Sequence, residues 1–254
     1  MSQRSVAIFT EGDTYTDLWG RVPLVELWKE LCSKLTPTPP SLHVFGINKA
    51  QILALDETQR TPGSREALDV FVERMYQRHA FDIAILAFDG IPENQLRPGG
   101  CMRKEVNFIL EHFVHRKQLS EIWVRSAEQL LEQYEQHPGC SRGIGRPPRV
   151  DLDILYMAPM FEGMLVSDES TVLHALGLKR RPKGWPKFDD KNLYPDTQIL
   201  AHAVKFASKE VRRIICGDMK SHKHDWALQM IRCASSGAKL FSHPIAQRLR
   251  VLLA

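Results

Sequence analysis

The chain has 254 residues, of which 43% are hydrophobic and 25% charged, the proportions of an ordinary globular protein. Such a length supports one large α/β domain, or one domain with a small appendage, and a core of that size needs neither disulfides nor a structural metal. A net charge of +4 and a pI near 8.8 admit a polyanionic partner without demanding one.

Val6-Ala7-Ile8-Phe9 runs into Thr10-Glu11-Gly12-Asp13. A short continuous apolar run, ended by carboxylates and a glycine, predicts a buried parallel strand. Ligands of open α/β sheets sit just outside the carboxyl ends of such strands, which makes Glu11 a candidate site residue. The plainer alternative is that Glu11 caps the next helix. Residues 14–35 carry a broad apolar face, including Leu18, Trp19, Leu27, Trp28 and Leu31, broken or kinked at Pro23. The proline run Thr36-Pro37-Thr38-Pro39-Pro40 stops it. Residues 42–47 read as a second strand, and 64–79 as a helix capped by Ser64.

The next apolar stretch, 81–88, ends in Asp89-Gly90-Ile91-Pro92. Strand, helix, strand, helix, strand predicts βαβ units and a mostly parallel sheet, with Asp89 on the same rim as Glu11. Helices are expected near 102–116 and 121–135. Residues 137–149 read as a connector, and Gly143-Ile144-Gly145 is no phosphate fingerprint because no helix opens behind it. Residues 152–157 form a further strand. Pro159 then suits the first turn of a helix and places Glu162 in that turn, on the rim again, or simply as a favourable charge at a helix start.

After Gly177 the pattern turns irregular and basic. Lys179, Arg180, Arg181, Lys183, Lys187 and Lys191 crowd around Trp185 and Phe188. Cations interleaved with aromatic rings suit single-stranded nucleic acid; a solvated surface loop has the same composition. Helices over 196–216, 223–233 and from 243 onward complete the chain. Lys220, His222, Lys223 and His224 gather at a helix start. Histidines two apart do not share a helix face, which argues against a zinc pair.

The five cysteines, Cys32, Cys101, Cys140, Cys216 and Cys233, are scattered and odd in number, which fits a reducing cytoplasm. No long apolar segment follows Arg4, and no apolar run reaches membrane-helix length, so neither a signal peptide nor a membrane partner is expected.

Three segments therefore close on a carboxylate: Glu11, Asp89 and Glu162. Converging carboxylates repel and persist together with a cation between them. Oxygen-only ligands favour magnesium or manganese, the ordinary apparatus for cutting phosphodiesters. A lysine, Lys220 or Lys223, would stabilise charge on phosphorus. The chain lacks a GxxxxGK[ST] loop, a G-x-S-x-G elbow and a dinucleotide fingerprint, which disfavours a P-loop ATPase, a serine hydrolase and a nicotinamide enzyme.

Phe9-Thr10-Glu11-Gly12-Asp13-Thr14 resembles the opening motif of Toprim domains. These are the catalytic modules of primases, topoisomerases, the OLD (overcoming lysogenisation defect) nucleases and RloB-like proteins. The resemblance implies an acid/base or metal-ligand role for Glu11 and a magnesium-ligand role for Asp89. Asp89-Gly90-Ile91-Pro92, the segment 161–168 and the tail 241–252 are similar to a bacterial Toprim-like family often encoded in defence islands. Many Toprim domains carry aspartate-x-aspartate where this chain has Asp89 and Ile91, which leaves Glu162, or Glu105, to complete the site.

The resemblance implies an α/β fold: a Toprim/Rossmann-like three-layer sandwich with a mostly parallel central sheet of about four strands and an extra C-terminal helical portion. The α/β domain is expected over 1–176, with the basic loop and C-terminal helices of 177–254 packed on it. The implied function is a Mg2+- or Mn2+-dependent nuclease in antiphage defence. Its catalytic residues would be Glu11, Asp89, Glu162 and Lys220, and its metal ligands Glu11, Asp89 and Glu162. Lys179, Arg180, Arg181, Lys183, Trp185 and Lys187 would hold the nucleic acid. The alternative is a non-catalytic Toprim-fold subunit that docks on a defence ATPase. A third, weaker reading is an enzyme acting on small phosphates.

Overall fold

The structure, a computed structural model, describes residues 4–11, 24–47, 68–89, 151–157, 161–188, 196–219 and 221–254. Four strands run in one parallel sheet: β1 (Ser5–Glu11), β2 (Ser41–Ile47), β3 (Ile83–Asp89) and β4 (Asp151–Met157), in the order β2-β1-β3-β4. Among the described residues the helices are α1 (Leu24–Leu35), α2 (Leu68–His79), α3 (Phe161–Val166), α4 (Glu169–Ala175), α5 (Asp196–Val204), α6 (Lys209–Ile214), α7 (Lys223–Cys233) and α8 (Pro244–Leu253), with a 3-10 turn at Lys239–Ser242. The chain is thus mixed α/β with an open parallel sheet. The helices expected over 102–116 and 121–135, and Glu105, lie outside the described residues. None of the described helices is long and apolar enough to cross a membrane.

The chain divides into two compact units. The first contains the sheet and α2. The second takes α1 and residues 160–252.

In the first unit, Val6 through Phe9 and Ala84 through Ala87 have no solvent exposure. Consecutive strand residues point to opposite faces, so β1 and β3 are covered on both, which is why their sequences are continuously apolar. Phe9 pairs in register with Phe45, their rings 5.0 Å apart, and Phe71 of α2 meets Phe9 edge-on at 5.9 Å. At the amino end, Asp82 ties β3 to β1. Its carboxylate accepts the Ser5 amide at 2.8 Å, and its own amide donates to the Ser5 carbonyl. Helix α2 stops where Ala80 takes a left-handed φ of 48° and donates its amide to the Tyr76 carbonyl.

In the second unit, α1 buries Leu24, Leu27, Trp28, Leu31 and Leu35, a single stripe at helical spacing. It packs on α7, and Trp28 lies against Phe161 with ring centroids 5.8 Å apart. Helix C-termini are closed by cations. Lys34 donates to the carbonyls of Arg232 and Ala234 at the end of α7, Arg250 to Leu35 at the end of α1, and Arg212 to Val204, Lys205 and Ala207 beyond α5. Burial pushes the Cys32 thiol up to about 12, which leaves it an inert core residue.

The single helix expected over 196–216 is two. The chain leaves α5 after Val204 and restarts at Lys209. Between them Ser208 turns extended (φ −61°, ψ 160°), donates its amide to Leu176 and caps α6 by accepting from the Val211 amide.

Asp168 is the polar pin of this unit. It is 4% exposed and receives four hydrogen bonds, from the Ser170 and Thr171 hydroxyls and from the Thr171 and Leu240 amides. Burial raises its carboxyl pKa, but those donors together outweigh burial and hold it below the ordinary value. A depressed pKa means stability that is present above the unfolded value of about 3.9 and lost as pH falls through the folded one. Asp168→Ala should destabilise the protein by about 2–3 kcal/mol, through the lost cap and the orphaned Leu240 amide. Urea unfolding at pH 7 measures the loss. Between pH 5 and 2 the variant should show a shallower fall in stability than the parent.

Candidate functional site

Beta-strand order fixes one special place in the sheet. The chain passes from β1 to β2 on one side and then to β3 on the other, so the crossovers diverge between β1 and β3. Such a switch point, at the carboxyl end of the strands, is where open α/β sheets bind ligands. The β1–β3 ladder pairs Thr10 with Ala87 at that end. Glu11 and Asp89, the last residues of the two strands, follow one and two positions beyond that pair. Neighbouring strands lie about 4.8 Å apart, so the two acidic positions share a short stretch of one rim. Two carboxylate-bearing residues are also the donor set with which magnesium is ordinarily held, the remaining positions being water.

Glu162 is expected in a helix first turn, on the rim or simply as a favourable charge at a helix start. It does lie in the first turn of a helix, α3, but it has no solvent exposure and belongs to the second unit. Its Oε1 sits 2.6 Å from Nζ of Lys223, at the start of α7. Among the described residues no hydrogen bond of good geometry reaches either Glu162 oxygen, so charge rather than a directed bond holds the pair. Glu162 is therefore a buried ion-pair partner. A buried carboxylate persists only where a cation or donors offset its lost hydration. Next along α7, His224 is pushed below its ordinary value by burial and then by Lys223, with Asp225 and Glu162 acting in the opposite sense. It stays neutral beside the pair. Lys220 lies outside the described residues.

The basic segment is partly internalised. Glu169 receives the Trp185 indole N–H at 2.8 Å and both Nε and Nη2 of Arg181. Arg181, expected to contact phosphate, is thereby committed to Glu169. Trp185 is stacked on Phe188 (5.6 Å, 9°) and tilted against Phe206 (5.9 Å). Lys179, Arg180, Lys183 and Lys187 are exposed, as a phosphate-binding segment requires. Sequence reasoning missed Glu169. The signal was available in part: an acidic first-turn residue of α4, facing a run of cations, is a natural counter-charge.

No group of three or more histidine, cysteine, aspartate or glutamate side chains among the described residues is placed to hold a metal ion. No protein-family model, curated protein or solved structure matches the chain.

The Glu162–Lys223 pair makes a direct prediction. Lys223→Met strands a buried carboxylate and should cost about 2–4 kcal/mol, less than a fully buried pair because the Lys223 side chain is 40% exposed. Adding Glu162→Gln should recover most of that loss in urea unfolding. A double variant no more stable than Lys223→Met would show that the charge pairing is not what matters.

Proposed function

We propose that the chain is a magnesium- or manganese-dependent nuclease of Toprim type that cuts nucleic-acid phosphodiesters in bacterial antiphage defence. The observation that supports this most is the pairing of β1 with β3. It brings two strands ending in Glu11 and Asp89 side by side at the switch point of a parallel sheet. The same arrangement agrees with a Toprim-like three-layer sandwich, and the Phe9–Thr14 and Asp89–Pro92 motifs fall at those two strand ends.

Glu11 and Asp89 would hold the divalent ion, and the ion, when bound, would polarise the phosphate and neutralise charge that builds on it. Glu11 is also the base: its carboxylate takes the proton from the attacking water, and one acid/base group of this kind contributes about 100- to 10,000-fold. Asp89 is the last residue of β3, a rigid element whose residues Ala84 to Ala87 are buried. The exposed Lys179, Arg180, Lys183 and Lys187 draw the polyanion in by charge.

A second reading, a non-catalytic subunit docking on a defence ATPase, is favoured by two observations. Ile91 stands where a second aspartate is usual, and Glu162 is already neutralised by Lys223. The two readings separate cleanly. Under the nuclease reading, Glu11→Gln and Asp89→Ala each lower cutting of DNA or RNA by at least about 100-fold, chelation abolishes it and Mn2+ restores it. Glu162→Gln shifts the unfolding midpoint much more than the cutting rate. Undiminished cutting by the Glu11 and Asp89 variants would sink the assignment.

A further inference from the structure

The second unit contains a cavity of about 990 Å3, within the range that small-molecule sites occupy. Three segments wall it: the Val166–Thr171 turn, the basic segment from Arg181 to Phe188, and the loop before the 3-10 turn, from Ser235 to Lys239. Its chemistry is asymmetric. On the acidic side nothing is left over, because Asp168 is saturated by four donors and Glu169 by Arg181 and Trp185. On the basic side Lys187 and Lys239 are both exposed, and no ion pair among the described residues engages either. The parallel rings of Trp185 and Phe188 line the same cavity, the former fixed by its N–H bond to Glu169. A rigid aromatic plate beside two free cations is what a planar base joined to a phosphate requires.

We propose that this cavity binds a nucleotide, with the base against the Trp185–Phe188 stack and the phosphate between Lys187 and Lys239. The proposal extends the nuclease reading by naming where a strand is gripped, and rests on it only for the source of the nucleotide. The same chemistry serves a free mononucleotide and one residue of a single strand.

Gly237 provides a probe that leaves the fold alone. It lines the cavity, and a Cβ built there meets nothing within 4 Å. Gly237→Asp therefore introduces a negative charge without crowding. The test is calorimetry on the full chain in chelator, with adenosine 5′-monophosphate and ribose 5-phosphate, and fluorescence anisotropy with labelled eight-nucleotide DNA and RNA. Expected is binding of the mononucleotide, weakened at least about tenfold by Gly237→Asp and by Lys187→Gln/Lys239→Gln together. The double variant should also lower the oligonucleotide salt slope by about 1.4. Phe188→Leu should weaken the nucleotide and leave ribose 5-phosphate unchanged.

An oligonucleotide that binds more tightly than the mononucleotide, with a steeper salt dependence, identifies a strand. Equal affinities identify a free nucleotide. The proposal falls if neither ligand binds, if ribose 5-phosphate binds as tightly as the nucleotide, or if both cavity variants bind like the parent. Since no metal is present, binding without cutting in a parallel magnesium assay leaves the cavity standing and removes the nuclease reading. Cutting with unaltered binding by the cavity variants does the reverse.

Discussion

Complete burial of the two central strands constrains everything else in the first unit. Neither face of β1 or β3 can carry a charge, because Val6 to Phe9 and Ala84 to Ala87 are sealed from water on both. Polar chemistry is therefore displaced to the strand ends. The amino end uses it for fastening: Asp82 joins the two strands through the Ser5 amide and carbonyl. At the carboxyl end, β1 and β3 both close on an acidic residue. A parallel sheet sends all these ends to one edge. The placement of Glu11 and Asp89 is then a consequence of burial and strand direction, before any ligand is considered.

This is also why the described strands of the first unit were legible in the sequence. A strand covered on both faces must read as an unbroken apolar run, and the run must stop where the cover stops. Strand β2 shows the margin of error, 42–47 expected against Ser41–Ile47 found. The order of the strands was not legible, because a βαβ pattern fixes direction without saying on which side the next strand is laid. Helix α1 shows the same limit. Its stripe of Leu24, Leu27, Trp28, Leu31 and Leu35 announces a buried face, but nothing in the spacing says that the face belongs to α7 and Phe161. The break between α5 and α6 was hidden for a related reason. Ser208 caps the second helix through the Val211 amide, and its own amide is held by the distant Leu176 carbonyl, a tertiary contact that periodicity does not carry.

Charge was the least legible feature. A net +4 reads as an invitation to polyanions, yet much of the positive charge has internal work. Lys34, Arg212 and Arg250 close helix C-termini, where backbone carbonyls would otherwise be left without donors. Arg181 and Lys223 neutralise Glu169 and Glu162. Subtracting these changes the picture of the basic segment: it is a loop pinned at Glu169 from which Lys179, Arg180, Lys183 and Lys187 project. Pinning makes the segment more useful for recognition. A cation presented from an anchored loop has less freedom to lose on binding than one on a freely moving tail.

The Glu162–Lys223 pair bears on how the second unit specifies its own packing. A buried pair is weak evidence for stability, since removing two charges from water can cost as much as their attraction returns. Apolar side chains of similar size would serve the core at least as well. What the pair adds is discrimination. Met164 and Leu165 of α3 and Trp226 and Met230 of α7 are buried and apolar, and apolar burial by itself is non-directional. A register that separates Glu162 from Lys223 leaves an uncompensated carboxylate in the core, which is penalised far more heavily than a small loss of contact. Trp226 acts in the same direction, since its indole N–H finds the Gly217 carbonyl, and a Cβ at Gly217 would meet the His222 ring and require it to shift. Polar contacts at the first turn of α7 thus select one arrangement among many that burial alone would accept.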